Sequence, residues 1–196
     1  MAGQEQHPRQ RLREAGVRLF YEKGFHATTV RHITDACGLT PGALYNHFGS
    51  KEEVLYSIIV DGHAALDELL SRVPEDAPPA ERLRGLIEAF VLHHTRHRMV
   101  ALVGDEWKAL DEGHRKEIRQ RRLDLRALYE DTIRAGVAAG EFAVPDVPGG
   151  DPVRLAVMAT MDMAFRVAGW FDPDGPVKDT DFARFYGELM LRAVST

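Results

Sequence analysis

The 196-residue sequence has a single cysteine, Cys37. No disulfide can form within the chain, and the zinc-finger and iron–sulfur sites that need several thiolates are excluded with it. That composition suits a reducing compartment, so a cytoplasmic location is expected. No segment approaches the roughly 18 uncharged apolar residues of a membrane span, and Met1 to Gln10 holds no apolar core of the signal-peptide kind. A membrane partner is not expected. The Gly-x-Gly-x-x-Gly, Walker and Gly-x-Ser-x-Gly patterns that cradle phosphates or present a nucleophile are absent too. Nothing in the chain asks for catalytic residues or a cofactor.

What is present is the balance of an ordinary globular protein, 44% hydrophobic and 28% charged, which excludes a mostly disordered or collagen-like chain. The net charge of −5 hides a split. Residues 1–51 carry seven Lys/Arg against four Asp/Glu, a net of +3, and the remainder carries −8. A basic head on an acidic body is the asymmetry expected when one module meets phosphates and another does something else.

The ten prolines stand at 8, 41, 74, 78, 79, 145, 148, 152, 173 and 176. The long stretches between them read as helices, because proline removes a helical donor and clashes with the preceding turn. Leu12, Ala15, Leu19 and Phe20 repeat at the helical period and predict a first helix over 8–23, with Gly24 as its left-handed cap. Ser50 followed by Glu53 is a capping-box pattern that opens a helix over 51–72. Val73 to Ala80, with three prolines, is a clear break. Beyond it, apolar stripes predict helices to His97, over 99–110, from Ile118 to Gly140, from Pro152 to Trp170, and one containing Phe182, Phe185, Tyr186, Leu189, Met190 and Ala193. No period-2 segment is convincing. The fold expected is all-α with about nine helices.

Between the first and fourth helices the sequence runs Thr28-Thr29-Val30-Arg31-His32-Ile33-Thr34-Asp35-Ala36-Cys37-Gly38-Leu39-Thr40-Pro41-Gly42-Ala43-Leu44-Tyr45-Asn46-His47-Phe48. Thr29 can cap a short helix with Val30, Ile33, Ala36 and Cys37 inward, and Arg31 and Asp35 outward. Gly38 permits a sharp turn. Thr40 then caps a second short helix with Pro41 at its first position and Leu44 and Phe48 on its buried side. Two short helices joined through a glycine turn make a helix-turn-helix, whose second helix fits the major groove of B-form DNA. The reading face is then Thr40, Pro41, Gly42, Ala43 and Asn46. The asparagine is suited to adenine, and Arg31 to a guanine or a phosphate. Tyr45, His47 and Lys51 stand where their polar groups can bond phosphates.

These residues resemble the DNA-binding domain of the TetR/AcrR family of bacterial transcriptional regulators. The match runs through Leu19-Phe20, Gly24-Phe25, Thr29-Val30, Ile33, Ala36, Gly38, Leu39-Thr40, Gly42, Leu44-Tyr45, His47-Phe48 and Lys51-Glu52. Thr34 and Cys37 depart from it, standing where the family usually has alanine. The resemblance implies a DNA-binding domain over 1–50 and a helical effector-binding and dimerisation domain over 51–196. It implies double-stranded DNA, a small-molecule effector and a second copy of the chain as partners, with release of a palindromic operator when the effector binds.

For the effector, Phe90, Met99, Leu102, Val103, Met158, Met161, Phe165 and Trp170 are the apolar set suited to an adaptable cavity. Arg166 and Trp170, spaced i, i+4 on an otherwise apolar helix, place a cation beside an indole, and a buried arginine there would need an anionic or carbonyl-bearing partner. Arg166-Val167-Ala168-Gly169-Trp170 also resembles the segment in TetR-type repressors of steroid and fatty-acid breakdown, which implies an acyl-CoA thioester. Arg115, Lys116, Arg119, Arg121 and Arg122 would suit its phosphates, or simply form a solvated face. His93 and His97 share a helix face and carry the alternative reading, a small metal-dependent hydrolase. Spacing supplies no third ligand to them, so no metal site is expected.

Overall fold

The computed structural model describes residues 7–195, and among these the chain is built of nine α-helices and one 3₁₀ turn. They are α1 (Pro8–Lys23), α2 (Val30–Ala36), α3 (Pro41–Tyr45), α4 (Lys51–Leu70), α5 (Pro79–Arg96), α6 (Arg98–Gly104), α7 (Glu112–Ala138), α8 (Pro152–Trp170) and α9 (Asp179–Val194), with the 3₁₀ turn at Asp105–Ala109 between α6 and α7. The expected all-α class and helix count are thus met. The segment expected as one helix over 99–110 divides into α6 and the 3₁₀ turn.

Packing divides the chain into two compact units. The head takes the described residues up to His63 together with Met99–Ile118, and the body takes Ala64–Arg98 with the residues from Arg119 on. Each has its own apolar core, which is what lets each hold its shape. In the head, Leu12, Phe20, Ile33, Leu44, Phe48, Val54, Leu55 and Ile58 close around one another with Val103, Leu110 and Ile118. In the body, Leu83, Leu86, Ile87 and Val91 of α5 meet Tyr129 and Ile133 of α7, Val157 and Val167 of α8, and Tyr186 and Met190 of α9. The Tyr129 hydroxyl, buried with its ring, donates to the Leu86 carbonyl at 2.8 Å, so burial leaves no phenol unsatisfied.

Local chemistry sets the ends of these elements. Asp151 caps α8 by accepting from the amides of Val153 and Arg154, with Pro152 following it. Arg134 of α7 donates to the other Asp151 oxygen at 2.6 Å, and this bond holds the carboxyl below its ordinary pKa. Gly136 on α7 lies so close to the buried Phe142 ring that any Cβ there would overlap it. Gly24 differs from expectation. Its φ of 80° is positive, but its ψ of 159° is extended, so it ends α1 by turning the chain away rather than by a left-handed helical cap.

Candidate nucleic-acid interface

The helix-turn-helix of the head is assembled from short-range bonds. Thr29 caps α2, its hydroxyl accepting from the His32 amide at 3.1 Å while the His32 ring accepts from the Thr29 amide at 3.3 Å. Gly38, at φ +65°, makes the turn, and the Leu39 amide reaches back to the Thr34 carbonyl at 2.9 Å. α3 then begins at Pro41, which lacks the donor that a first helical residue leaves unused. Thr40 occupies the cap position of α3 without making the expected side-chain bond.

The inward face of α2 is not quite the expected one. Ile33, Thr34 and Cys37 are buried, whereas Ala36 is exposed and Val30 is half-buried. Thr34 tolerates burial because its hydroxyl donates to the carbonyls of Val30 and Arg31, both at 3.2 Å. Cys37 sits in a reciprocal link with α1: its thiol donates to the Arg11 carbonyl at 3.3 Å, and the Arg11 guanidinium donates to the Cys37 carbonyl. Burial pushes the thiol pKa up, against the pull of Arg11 and Arg18.

Leu44 and Phe48 are buried as expected, so α3 turns its other side outward. Thr40, Pro41, Gly42, Tyr45 and Asn46 are exposed, and Ala43 is half-buried. Arg31 is extended into solvent and only loosely paired with Asp35, at 3.6 Å. Thr29 is exposed at the start of α2. His47 is half-buried, its ring edge-on to His7 at 5.5 Å. These side chains supply what base and phosphate contact needs: a narrow helix with small residues, one amide, one phenol and an exposed guanidinium.

Lys51 is placed otherwise than a phosphate ligand would be. Its ammonium donates to the carbonyls of Phe25 at 2.7 Å and Thr28 at 2.6 Å and lies over the Phe25 ring, 4.1 Å from its centre. Burial lowers its pKa. It pins the first turn of α4 to the loop before α2. Thr28, which the sequence did not single out, anchors that loop from inside, donating to the carbonyls of Leu19 and Gly24. Ser50 caps α4 by accepting from the Glu53 amide at 3.1 Å, while the Glu53 carboxylate accepts from the Gly49 amide at 2.7 Å. Beside this start, His114 bonds Glu52 at 3.0 Å. Burial disfavours its charged form, but the bond and charge of Glu52, with Asp111 and Glu117, prevail and raise the imidazole pKa.

The residues expected around an effector do not converge. Phe90 is buried in the body core with Met161 and Phe165 packed against it. Val103 belongs to the head core, Leu102 is half-buried and Met99 is exposed, all three within the head. Met158, Arg166 and Trp170 are exposed on α8, so the premise of a buried arginine fails within the single chain. Trp170 instead rests edge-on against Phe182. His94, which stands between the histidine pair in sequence, is buried here together with His93 and Thr95. Its Nδ1 lies 2.7 Å from the Phe90 carbonyl, and its ring lies between Phe90 and Phe165. Burial lowers its pKa to about 4, with Arg122 adding to the effect, so it is neutral near pH 7. The His93 and His97 rings are 5.3 Å apart. Among the described residues the three-ligand grouping that geometry offers is Glu52, Asp111 and His114, without either of them.

Comparison with known proteins decides the class. Residues 12–58 match the domain described as bacterial regulatory proteins, tetR family, and residues 76–194 match the tetracyclin repressor-like C-terminal domain. The chain belongs to the TetR family. It is 32% identical to the HTH-type transcriptional repressor KstR2 of Mycobacterium tuberculosis (strain H37Rv), over all of this chain and 96% of that protein. A tetR-family regulatory protein from Rhodococcus RHA1 has the same fold, with a TM-score of 0.86 at 30% identity over 97% of this chain and 98% of that one. AibR, solved in complex with isovaleryl coenzyme A and operator DNA, superposes with a TM-score of 0.79 at 25% identity, over 93% of this chain and 97% of its own. This TetR-family chain is therefore a DNA-binding transcriptional regulator rather than an enzyme, and the hydrolase reading of His93 and His97 has no support. None of its described helices is long and apolar enough to cross a membrane.

Proposed function

We propose that the protein is a ligand-responsive repressor that grips a palindromic operator as a homodimer and lets go when a small molecule binds its body. Residues 1–50 do the reading and 51–196 the sensing and pairing. In the reading segment, Thr40, Pro41, Gly42, Ala43 and Asn46 face base edges, while Thr29, Arg31, Tyr45 and His47 hold the backbone. The ammonium of Lys51 acts chiefly by fixing where α4 begins.

The observation that carries the pairing is the apolar surface left open on α8 and α9. Leu155, Met158 and Met163 of α8 and Phe185 and Leu189 of α9 are all more than 40% exposed, though each helix buries its opposite side. Apolar faces this broad are the ordinary mark of a subunit interface. A two-fold pair places two copies of α3 about 34–36 Å apart, one turn of duplex. Light scattering on the purified chain tests the pairing, and a monomer at micromolar concentration would contradict it.

For the effector we infer an acyl-CoA thioester as the first class to test. Two features support it: the likeness to AibR, whose solved complex holds isovaleryl coenzyme A, and the side-by-side exposure of Arg166 and Trp170, a cation and an indole available to an anionic or carbonyl group. Phe90, Met161 and Phe165 belong to the apolar core of the body, with neutral His94 beside Phe90 and Phe165. In the basic run, Arg121 is paired with Asp67 at 3.1 Å, and Lys116 and Arg119 are exposed. An effector releases DNA only by binding the DNA-incompetent state more tightly. A panel of CoA thioesters added to the operator complex tests this directly, and release by none of them would remove the class.

A further inference from the structure

In the head, two helix starts meet around one imidazole. His114, in the first turn of α7, holds its Nδ1 3.0 Å from Glu52 Oε1 and 3.2 Å from Asp111 Oδ2. Glu52 belongs to the first turn of α4 and Asp111 immediately precedes α7, so the three donors arrive from two elements far apart in the chain. All three donor atoms lie within 4.8 Å of one another. Around a tetrahedral zinc ion, with ligand bonds of about 2.0–2.2 Å, donor atoms stand roughly 3.3–3.6 Å apart. The two nitrogen–oxygen distances are therefore already close to coordination spacing, and the two carboxylate oxygens stand within 4.8 Å of each other.

Each group is also held so that the donor atom points inward. Asp111 divides its two oxygens: Oδ1 caps α7 by accepting from the His114 amide at 2.9 Å, and Oδ2 is left to face the imidazole. Glu52 is steadied by the Asp111 amide, which donates to Oε1 at 3.3 Å. The His114 ring is fixed by Tyr56, stacked on it at 3.7 Å with 13° between the planes, and the Tyr56 hydroxyl donates to Glu117 at 2.7 Å. Such outer bonds, which orient ligands before an ion arrives, accompany metal sites. An open cleft of about 270 Å³, lined by Arg9, His47, Glu53, Tyr56, Asp61 and His114 among others, borders the imidazole, while Glu52 and Asp111 lie outside its lining.

We propose that Glu52, Asp111 and His114 form a site for one divalent first-row transition metal ion, one nitrogen and two carboxylate oxygens, with water in the remaining positions. That donor set suits zinc, cobalt(II) or manganese(II) rather than copper(I), which favours sulfur. An ion here joins the first turn of α4, next to Lys51, to the first turn of α7 within the head.

The test is a titration of the metal-stripped full-length protein with cobalt(II), followed by its visible absorption, and with zinc by calorimetry. One equivalent is expected to bind to the parent. His114→Asn is expected to lose it, Glu52→Gln and Asp111→Asn to weaken it by roughly tenfold or more, and His97→Asn to keep it, which separates this site from the His93–His97 pair. Melting of each metal-free variant checks the fold. If His114→Asn proves unfolded, Glu52→Gln decides alone. Absence of saturable binding, or parental stoichiometry and affinity in the deciding variant, overturns the proposal.

Discussion

The Lys51 ammonium donates to the Thr28 carbonyl at 2.6 Å, across 23 residues of chain, and so joins the start of α4 to the loop that launches α2. Hydrogen bonds from a charged group contribute about 1.5–3 kcal/mol each when well formed, less where water competes as it does here. Lys51→Ala is expected to destabilise the protein by about 1–2 kcal/mol, measurable in urea, and to weaken DNA binding with little change in salt dependence. A variant of parental stability whose salt slope falls by about one unit would return Lys51 to the role of a phosphate ligand.

Tyr45 and Asn46 are exposed on α3 and bear no part of the core, so their removal should be felt on DNA alone. Tyr45→Phe is expected to lower affinity for every duplex by a similar factor. Asn46→Ala should cost about 1–3 kcal/mol on the preferred operator and relax one base position. Competition binding against single-base operator variants distinguishes the two patterns.

Phe185 and Leu189 are 61% and 42% exposed on α9, while Tyr186 and Met190 on its other side are buried. Phe185→Glu with Leu189→Glu is expected to leave the helical circular dichroism intact and convert the dimer to a monomer by light scattering, with operator affinity falling accordingly. A double variant that stays dimeric would place the interface elsewhere.

Buried, neutral His94 ties stability to acid. Its folded pKa of about 4 lies below the ordinary 6.5, so between those values the unfolded chain binds a proton that the folded one refuses. Stability is unaffected by this group above about pH 6.5 and is lost progressively as pH falls towards 4, by at most about 3 kcal/mol at 1.36 kcal/mol per pKa unit. His94→Gln should flatten that part of the curve in urea melts taken from pH 7 to 4. An unchanged slope would show that the ring is hydrated and charged in the folded state.

The sequence made α1 and α8 legible nearly to the residue, because Pro8, Asp151 and Pro152 mark their starts with clear backbone chemistry and Gly24 stops α1, although by an extended turn rather than the expected left-handed cap. The inner face of α2 was harder. Seven residues make barely two turns, too few for periodicity to choose between Thr34 and Ala36. Spacing put Arg166 and Trp170 correctly on one face of α8, but spacing alone does not say whether that face meets a core, and theirs is open. The bonds of Lys51 to Phe25 and Thr28, and of Glu52 to His114 across 62 positions, come from tertiary packing and leave no local signal.

Selection of bound fragments from a genomic library at low and physiological salt tests the central claim most directly. The account predicts enrichment of an inverted repeat with half-sites one helical turn apart, its affinity falling steeply as salt rises. Fragments recovered at random, with no shared sequence and no retention at physiological salt, would contradict it.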